Sequence, residues 1–114
     1  MTLSELIEPV QAEILINSPD FSQRRVNCVV ASDLMSDVLV AAHDDFLLVT
    51  SLASDQMIRT ADLVGAAAVL VVNGKRLPDS AMQMAGKLGI TLLRTSLPKY
   101  EACVAIGHAA KEQP

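Results

Sequence analysis

Three apolar runs separated by two helix-patterned segments occupy residues 46–94, and they constrain the fold more than any other feature. The runs are Phe46-Leu47-Leu48-Val49, Ala67-Ala68-Val69-Leu70-Val71-Val72 and Thr91-Leu92-Leu93. Continuous apolar runs without polar alternation are typical of parallel strands that are covered on both faces. Helices between such strands give a β-α-β-α-β unit. The sequence therefore predicts an α/β fold with a mainly parallel sheet flanked by helices.

Capping and turn residues indicate two more strands and a short helix before this unit. Thr2 and Glu5 match a capping box, in which each side chain satisfies a free backbone donor at a helix start. Residues 12–16 and 25–31 are apolar enough to be strands, with the turn-forming Asn17-Ser18-Pro19-Asp20 after the first of them.

A helix is predicted after the second strand, with Ser32 or Asp33 as its cap. Its apolar residues form one stripe of Leu34, Val38 and Ala41, with Met35, Leu39 and Ala42 beside it. So wide an apolar surface predicts burial on more than one side of this helix.

The later helices have start and stop signals of their own. Ser54 is placed to cap the first, and Gly65 to end it in a left-handed turn. Asn73-Gly74 is interpreted as a loop rather than a hairpin, because no strand pattern follows it. A helix is expected over residues 79–88, ended by Gly89, with buried Ala81, Met82, Ala85 and Leu88. Ser96 is expected to cap a last helix with Pro98 in its first turn.

Length and composition predict a single domain over residues 1–114 with an aliphatic core. The chain has 114 residues, of which 51% are hydrophobic but only 3% are aromatic. Such an excess of aliphatic side chains over the available interior is typical of a domain that shares one face with a partner. We therefore expect a homodimer, or a module that is buried against other domains.

Charge and the distribution of apolar residues indicate which partners to expect. The net charge is −4 and no basic stripe is present, which argues against nucleic acid as a partner. No apolar run approaches the roughly 20 residues of a membrane span, and the N-terminus lacks the pattern of a signal peptide. Cys28 and Cys103 lie far apart in apolar runs and are interpreted as buried, reduced thiols. The expected protein is soluble and cytoplasmic.

Polar residues after the three runs predict a ligand surface. In open parallel sheets, ligands bind beyond the carboxyl ends of the strands. The candidate ligand-binding residues are Thr50, Ser51, Asn73, Lys75, Arg94 and Thr95. Lys75 and Arg94 could meet an anion there, with hydroxyl and amide groups completing its coordination. In the alternative interpretation Ser54 and Ser96 only cap helices, Asn73-Gly74 only makes a turn, and the two cations are solvated.

No residue pattern points to catalysis or to a metal or cofactor. Asp33 and Asp37 lie four residues apart and could bind a cation or form an acid/base pair, but the helix dipole alone also favours them there. His43 and His108 have no neighbouring ligand residues at metal spacing. Neither a phosphate-binding P-loop nor a dinucleotide fingerprint is present. The expected protein is not an enzyme, and no cofactor is assigned.

Several segments together resemble the DRTGG-domain family over residues 6–106. They are residues 30–38 (Val-Ala-Ser-Asp-Leu-Met-Ser-Asp-Val), 48–51 (Leu-Val-Thr-Ser), 66–79 (Ala-Ala-Ala-Val-Leu-Val-Val-Asn-Gly-Lys-Arg-Leu-Pro-Asp) and 89–95 (Gly-Ile-Thr-Leu-Leu-Arg-Thr). The last is similar to a segment in the N-terminal domain of HPr kinase/phosphorylase. Related domains accompany CBS domains and phosphotransacetylases. The literal Asp-Arg-Thr-Gly-Gly string is absent here, as is the catalytic part of the kinase.

This resemblance implies a stand-alone regulatory or interaction domain. Together with the aliphatic excess and the missing catalytic patterns, it predicts a non-catalytic regulatory or protein-interaction module that self-associates. Free-standing members carry hydrogenase or iron–sulfur names, which implies a link to those systems. Two isolated cysteines cannot hold a cluster alone, because a cluster typically needs four thiolates. The alternative is a sensor that binds a small anionic ligand or a nucleotide at the carboxyl ends of the parallel strands.

Overall fold

The β-α-β-α-β unit lies at the centre of one five-stranded sheet, in a computed structural model that describes residues 1–41 and 45–111. A 3-10 helix spans Leu3–Leu6, and the strands are β1 (Glu13–Ile16), β2 (Cys28–Ala31), β3 (Phe46–Thr50), β4 (Ala68–Val71) and β5 (Thr91–Arg94). The helices are α1 (Met35–Ala41), α2 (Asp55–Leu63), α3 (Asp79–Leu88) and α4 (Lys99–Lys111). The strand order is β1-β5-β4-β3-β2, parallel except for β1, which runs antiparallel to β5. The predicted fold class is confirmed.

Strands β3 and β4 form the centre of the core, because every one of their residues is buried. On one face, Phe46, Leu48 and Val69 pack with residues of α1, α2 and α3. On the other, Leu47 and Leu70 pack with α4 and the N-terminal segment. This double coverage explains why these strands have no polar alternation.

The N-terminal capping residues hold a 3-10 helix. The Glu5 carboxylate accepts hydrogen bonds from the backbone N–H of Thr2, at 2.9 Å, and from the Thr2 hydroxyl, at 2.8 Å. Residues 7–10 continue as turns, and Pro9 lies among them. The predicted capping box at the start of this helix is confirmed.

Helix α1 differs from its prediction in its start and in its burial. It begins at Met35, and the Ser32 hydroxyl accepts from the backbone N–H of Leu34 in a local turn before it. Val38 is fully buried, whereas Leu34, Leu39 and Val40 are 58%, 51% and 87% exposed. The predicted burial on more than one side is wrong for this chain alone, because α1 lies at the β2 end of the sheet with α2 on one flank. Ala42 lies outside the described residues.

The ends of α2 and α3 follow the predicted signals. The Ser54 hydroxyl accepts from the backbone N–H of Met57 at 3.2 Å, and Gly65 has a φ of 83°. Gly89 ends α3 with a φ of 73°, and the next residue, Ile90, donates its N–H to the carbonyl of Ala85. This is a Schellman arrangement, and it places Ile90 against the core.

The prediction that Leu88 of α3 is buried in the core is wrong. Leu88 is 41% exposed, whereas Ile90, just beyond the helix, is 5% exposed. The left-handed turn at Gly89 folds Ile90 back towards the last turn of the helix, so this residue fills the place expected for Leu88.

The burial of β3 predicts that truncating a leucine in this strand lowers the free energy of unfolding far more than truncating an exposed aliphatic residue. Leu48→Ala is expected to lower the free energy of unfolding by about 2–5 kcal/mol, because it leaves a cavity under a fully covered strand. Leu63→Ala, the exposed control at the end of α2, is expected to change it by less than about 0.5 kcal/mol. Urea unfolding of both variants measures the two changes, and equal losses would contradict this description of the core.

Candidate functional site

Asp33 is the centre of a polar cluster at the carboxyl end of β3. Its Oδ1 accepts from the Thr50 hydroxyl at 2.9 Å and from the Ser51 backbone N–H at 2.7 Å. Its Oδ2 accepts from the Ser51 hydroxyl at 2.5 Å and from Lys99 Nζ at 2.7 Å. Donors from β3, from the residue after it and from the first turn of α4 thus surround one carboxylate. We call Asp33, Thr50, Ser51 and Lys99 the Asp33 cluster.

Hydrogen bonding controls the ionisation of Asp33. Partial burial is the largest single influence and acts to raise the pKa of this carboxyl, but the combined hydrogen bonds from Lys99, Ser51 and Thr50 outweigh it. The net result holds the pKa of Asp33 well below its usual range. The carboxylate is therefore fully ionised at neutral pH and acts only as an acceptor.

The loops after β4 and β5 are joined to each other beside this cluster. The backbone N–H of Asn73 donates to the carbonyl of Leu97 at 2.9 Å, and that of Gly74 donates to the carbonyl of Thr95 at 2.8 Å. Asn73 and Gly74 both have a positive φ, and a Cβ on Gly74 would lie 3.8 Å from the backbone of Ser96. The second loop continues into α4, which carries Lys99.

The structure places the six predicted ligand-binding residues in different surroundings. Thr50 and Ser51 belong to the Asp33 cluster, and Asn73 lies in the neighbouring joined loops. Lys75 is exposed, and within the described residues its side chain pairs with no carboxylate.

The last two predicted ligand-binding residues have partners near the start of the chain. Arg94 donates to Glu13 of β1 through Nε at 3.2 Å and Nη2 at 2.7 Å. The buried Thr95 hydroxyl donates to the carbonyl of Val10 at 2.6 Å. Both interactions therefore join β5 and the residue after it to the N-terminal segment.

Lys99 was missed by the sequence interpretation, and Asp33 was considered only as a helix cap and, together with Asp37, as a cation ligand or acid/base pair. Lys99 follows Pro98 at the start of a helix beyond a strand end, so the rule that located Thr50 also applies to it. Its pairing with a residue 66 positions away carries no local signal. Asp37 lies in the first turn of α1 with its side chain exposed, and it is not part of the Asp33 cluster.

The thiols and histidines lie elsewhere. Cys28 and Cys103 are free, and both are half-buried rather than fully buried as expected. Burial raises the pKa of the Cys103 thiol, and Lys99 only partly opposes this effect. His108 is exposed on α4, and His43 lies outside the described residues.

Two further facts concern metals and membranes. Among residues 1–41 and 45–111, no three His, Cys, Asp or Glu side chains are grouped to hold a metal ion. No helix in the same ranges is long and apolar enough to cross a membrane.

Two surface pockets lie away from the Asp33 cluster. One, of about 290 Å³, lies between β2 and α4 and is lined by Met1, Val26, Asn27, Cys28, Val29, Ile106 and Ala110. The other, of about 390 Å³, is lined by Asp20, Gln23, Arg24, Arg25 and Asp45. Arg24 there pairs with both Asp20 and Asp45. Neither pocket includes a predicted ligand-binding residue.

The low pKa of Asp33 predicts a specific dependence of stability on pH. Its carboxylate stabilises the folded state above its unfolded pKa of about 3.9, and this contribution is lost as the pH falls towards its lower folded value. Wild type is therefore expected to melt at a higher temperature than Asp33→Asn at pH 7. This difference is expected to shrink as the pH falls from about 5 to about 2.

Melting temperatures of both proteins across this range test the expectation. Asp37→Asn removes the same charge from an exposed side chain and is the control, with a melting temperature near that of wild type at pH 7. A constant difference between wild type and Asp33→Asn at every pH would contradict the ionised, hydrogen-bonded state of Asp33.

Comparison with known proteins gives a structural match without a sequence match. No family model matches the chain, and no curated protein matches it. The chain is similar to the crystal structure of the CBS and DRTGG domains of the regulatory region of Clostridium perfringens pyrophosphatase, complexed with its activator diadenosine tetraphosphate. The TM-score is 0.76 at 14% sequence identity, over 95% of this chain and 46% of that one.

The chain thus spans about half the length of the protein chain that it matches. At this level of identity the match concerns the fold. It supports a DRTGG-like α/β fold as a distant structural likeness.

Proposed function

We propose that this chain is a non-catalytic regulatory module that binds a small phosphate-bearing ligand at the carboxyl ends of β3, β4 and β5. The observation that carries the proposal is the Asp33 cluster. Two hydroxyls, one backbone N–H and one ammonium already hold an anionic group at this edge of the sheet. Groups of this kind are the ones that bind phosphate in proteins.

The joined loops supply the rest of the proposed site. Asn73 and Lys75 are exposed beside the cluster, and Lys75 offers a cation without a carboxylate partner among the described residues. In this proposal Thr50, Ser51, Asn73, Lys75 and Lys99 contact the ligand. Arg94 and Thr95 keep their bonds to Glu13 and Val10, and so position the end of β5.

The structural neighbour supports a nucleotide as the class of ligand. That protein is a regulatory region complexed with an activator, diadenosine tetraphosphate, which carries a chain of phosphates between two nucleosides. The comparisons offer no support for a link to hydrogenase or iron–sulfur systems, and the cytoplasmic location stays a prediction.

A thermal-shift experiment tests ligand binding. AMP, ADP, ATP and diadenosine tetraphosphate are added separately to the purified chain, and a ligand present at about 100 times its dissociation constant should stabilise the fold by about 2.7 kcal/mol. We expect the melting temperature to rise by several degrees with at least one ligand that has two or more phosphates. No shift with any of the four at millimolar concentration would remove the proposal.

Two lysine variants locate the binding. Lys75→Ala should reduce the shift, because it removes an exposed cation from the proposed site. Lys87→Ala is the matched control. Lys87 is also an exposed lysine, but it lies in the last turn of α3, whereas Lys75 lies in the loop before the first turn of this helix. Equal effects of the two variants would show that the ligand binds elsewhere or is attracted only by general charge.

A second candidate function, self-association, is favoured by the edge strand β2. This strand has a neighbour on one side only within the described residues, and Cys28-Val29-Val30-Ala31 contains no charge or proline. The other edge strand, β1, carries Glu13 and an irregular register, both of which discourage pairing between edges. Exposed Leu39 and Val40 on α1, the helix that follows β2, add apolar surface. We propose that β2 and α1 face a second copy of the chain.

Light scattering after size-exclusion chromatography tests self-association. Wild type at micromolar concentrations should have about twice the mass of the 12.1 kDa chain. Val29→Lys places a charge on the exposed face of β2 and should yield a monomer, as edge charges oppose strand pairing. Val104→Lys on α4, at similar exposure, should remain a dimer. A strictly monomeric wild type would contradict this second function.

A further inference from the structure

We propose that Thr50, Ser51 and Lys99 form the subsite for one phosphate group, and that Asp33 fills it as an intramolecular anion until the ligand displaces it. This inference rests on the proposed ligand-binding function and identifies where the phosphate chain binds. The free chain would then be in a self-blocked state, and the ligand must compete with one of the chain's own carboxylates.

The donors match a phosphate group in number and in kind. Four hydrogen bonds, between 2.5 and 2.9 Å, converge on the two oxygens of Asp33. They come from a backbone N–H, two hydroxyls and an ammonium, whereas a purely structural ion pair needs only the ammonium. A phosphate group offers three acceptor oxygens and more charge, so it can use all of these donors.

Displacement needs only the rotation of one side chain. The backbone on either side of Asp33 is held separately, because Ser32 donates its N–H to the carbonyl of Val49 and Leu34 donates its N–H to the Ser32 hydroxyl. The Asp33 side chain is itself 39% exposed and so has access to solvent. Thr50 is fully buried, and its hydroxyl can reach a ligand only after the carboxylate moves away.

This competition restricts the class of ligand. Asp33 stays ionised at neutral pH because its pKa is held well below the usual range, so it is present as a competitor under all physiological conditions. A ligand with a single carboxylate gains nothing over the tethered carboxylate. A chain of phosphates brings more charge and a second contact, to exposed Lys75 in the loop after β4. The site should therefore favour polyphosphates over carboxylates and monophosphates.

Calorimetric titration with inorganic tripolyphosphate tests this subsite without a contribution from a base or sugar. Asp33→Asn should bind the probe about tenfold more tightly than wild type, as expected if about a tenth of the wild-type molecules have the subsite open. Asp37→Asn, which removes the same charge from an exposed position, should bind as wild type does. Adding Lys99→Ala to Asp33→Asn should abolish the gain, whereas adding Lys111→Ala, at the other end of α4, should not.

The outcomes separate this inference from the proposed function. If nucleotides stabilise wild type through Lys75 but Asp33→Asn binds tripolyphosphate no better than wild type, the inference is overturned and the function stands. If nucleotides give no shift and neither protein binds tripolyphosphate at millimolar concentration, both are overturned.

A second variant and an NMR measurement on wild type keep the test valid if Asp33→Asn does not fold. Asp33→Ser, whose shorter side chain cannot reach across to Lys99, then replaces it in the titration. In addition, saturating tripolyphosphate should shift the amide resonance of Ser51 in wild type, because the partner of this N–H changes from carboxylate to phosphate. An unmoved Ser51 resonance at saturation would also overturn the inference.

Discussion

Strands β3 and β4 must be covered on both faces, and the rest of the structure depends on this constraint. None of their residues is polar except Thr50, which ends β3. Their apolar side chains alternate between two clusters, so one layer of helices cannot cover them. Helices α1, α2 and α3 therefore cover one face, while α4 and the N-terminal segment cover the other. The loops that join strands to helices are left at the two ends of the sheet, where polar groups can meet solvent or a ligand.

Three buried threonine hydroxyls show that the ends of individual strands differ in the partners they bond. Thr91 shares a 2.6 Å hydrogen bond with the Ser18 hydroxyl, and Thr95 donates to the carbonyl of Val10. Both partners are neutral groups of the N-terminal segment, and these interactions satisfy buried polar atoms. Thr50 instead donates to Asp33, an ionised and partly exposed carboxylate. The end of β3 is thus the place where a buried hydroxyl meets a solvent-accessible charge, and for this reason we propose it, rather than the ends of β5, as the phosphate subsite.

Much of the fold could be predicted from local pattern, because continuous apolar runs, helix caps and left-handed glycines act within a few residues. Ser54, Gly65 and Gly89 illustrate this, since each ends or begins a helix through neighbouring backbone groups. The strand-end rule likewise pointed to Thr50 and Ser51. It could not reveal their partner Asp33, which precedes Thr50 by 17 residues, or the pairing of Asp33 with Lys99, 66 residues later.

Long-range placement limited the remaining predictions. Arg94 was expected to meet an anionic ligand beyond the carboxyl end of its strand, and the sequence did not indicate that β1 lies antiparallel beside β5 and brings Glu13 to it. The pairing of β1 with a strand about 80 residues later follows from global packing, not from either local sequence. The same reason explains α1, whose apolar residues predicted burial on more than one side although it lies at the β2 end of the sheet. Periodicity gives the amount of apolar surface but not which part of it the same chain covers.

The position of Asp33 connects the two proposed functions physically. It lies between Ala31, the last residue of edge strand β2, and Met35, the first residue of α1. In these proposals, a phosphate that displaces its carboxylate therefore binds beside the segment that joins the two elements of the proposed self-association surface. Any coupling between ligand binding and dimerisation at this point is reciprocal, so each must change the other's equilibrium constant by the same factor. The proposed ligand-binding residues after β3 and the proposed self-association surface thus share one short connection, residues 32–34.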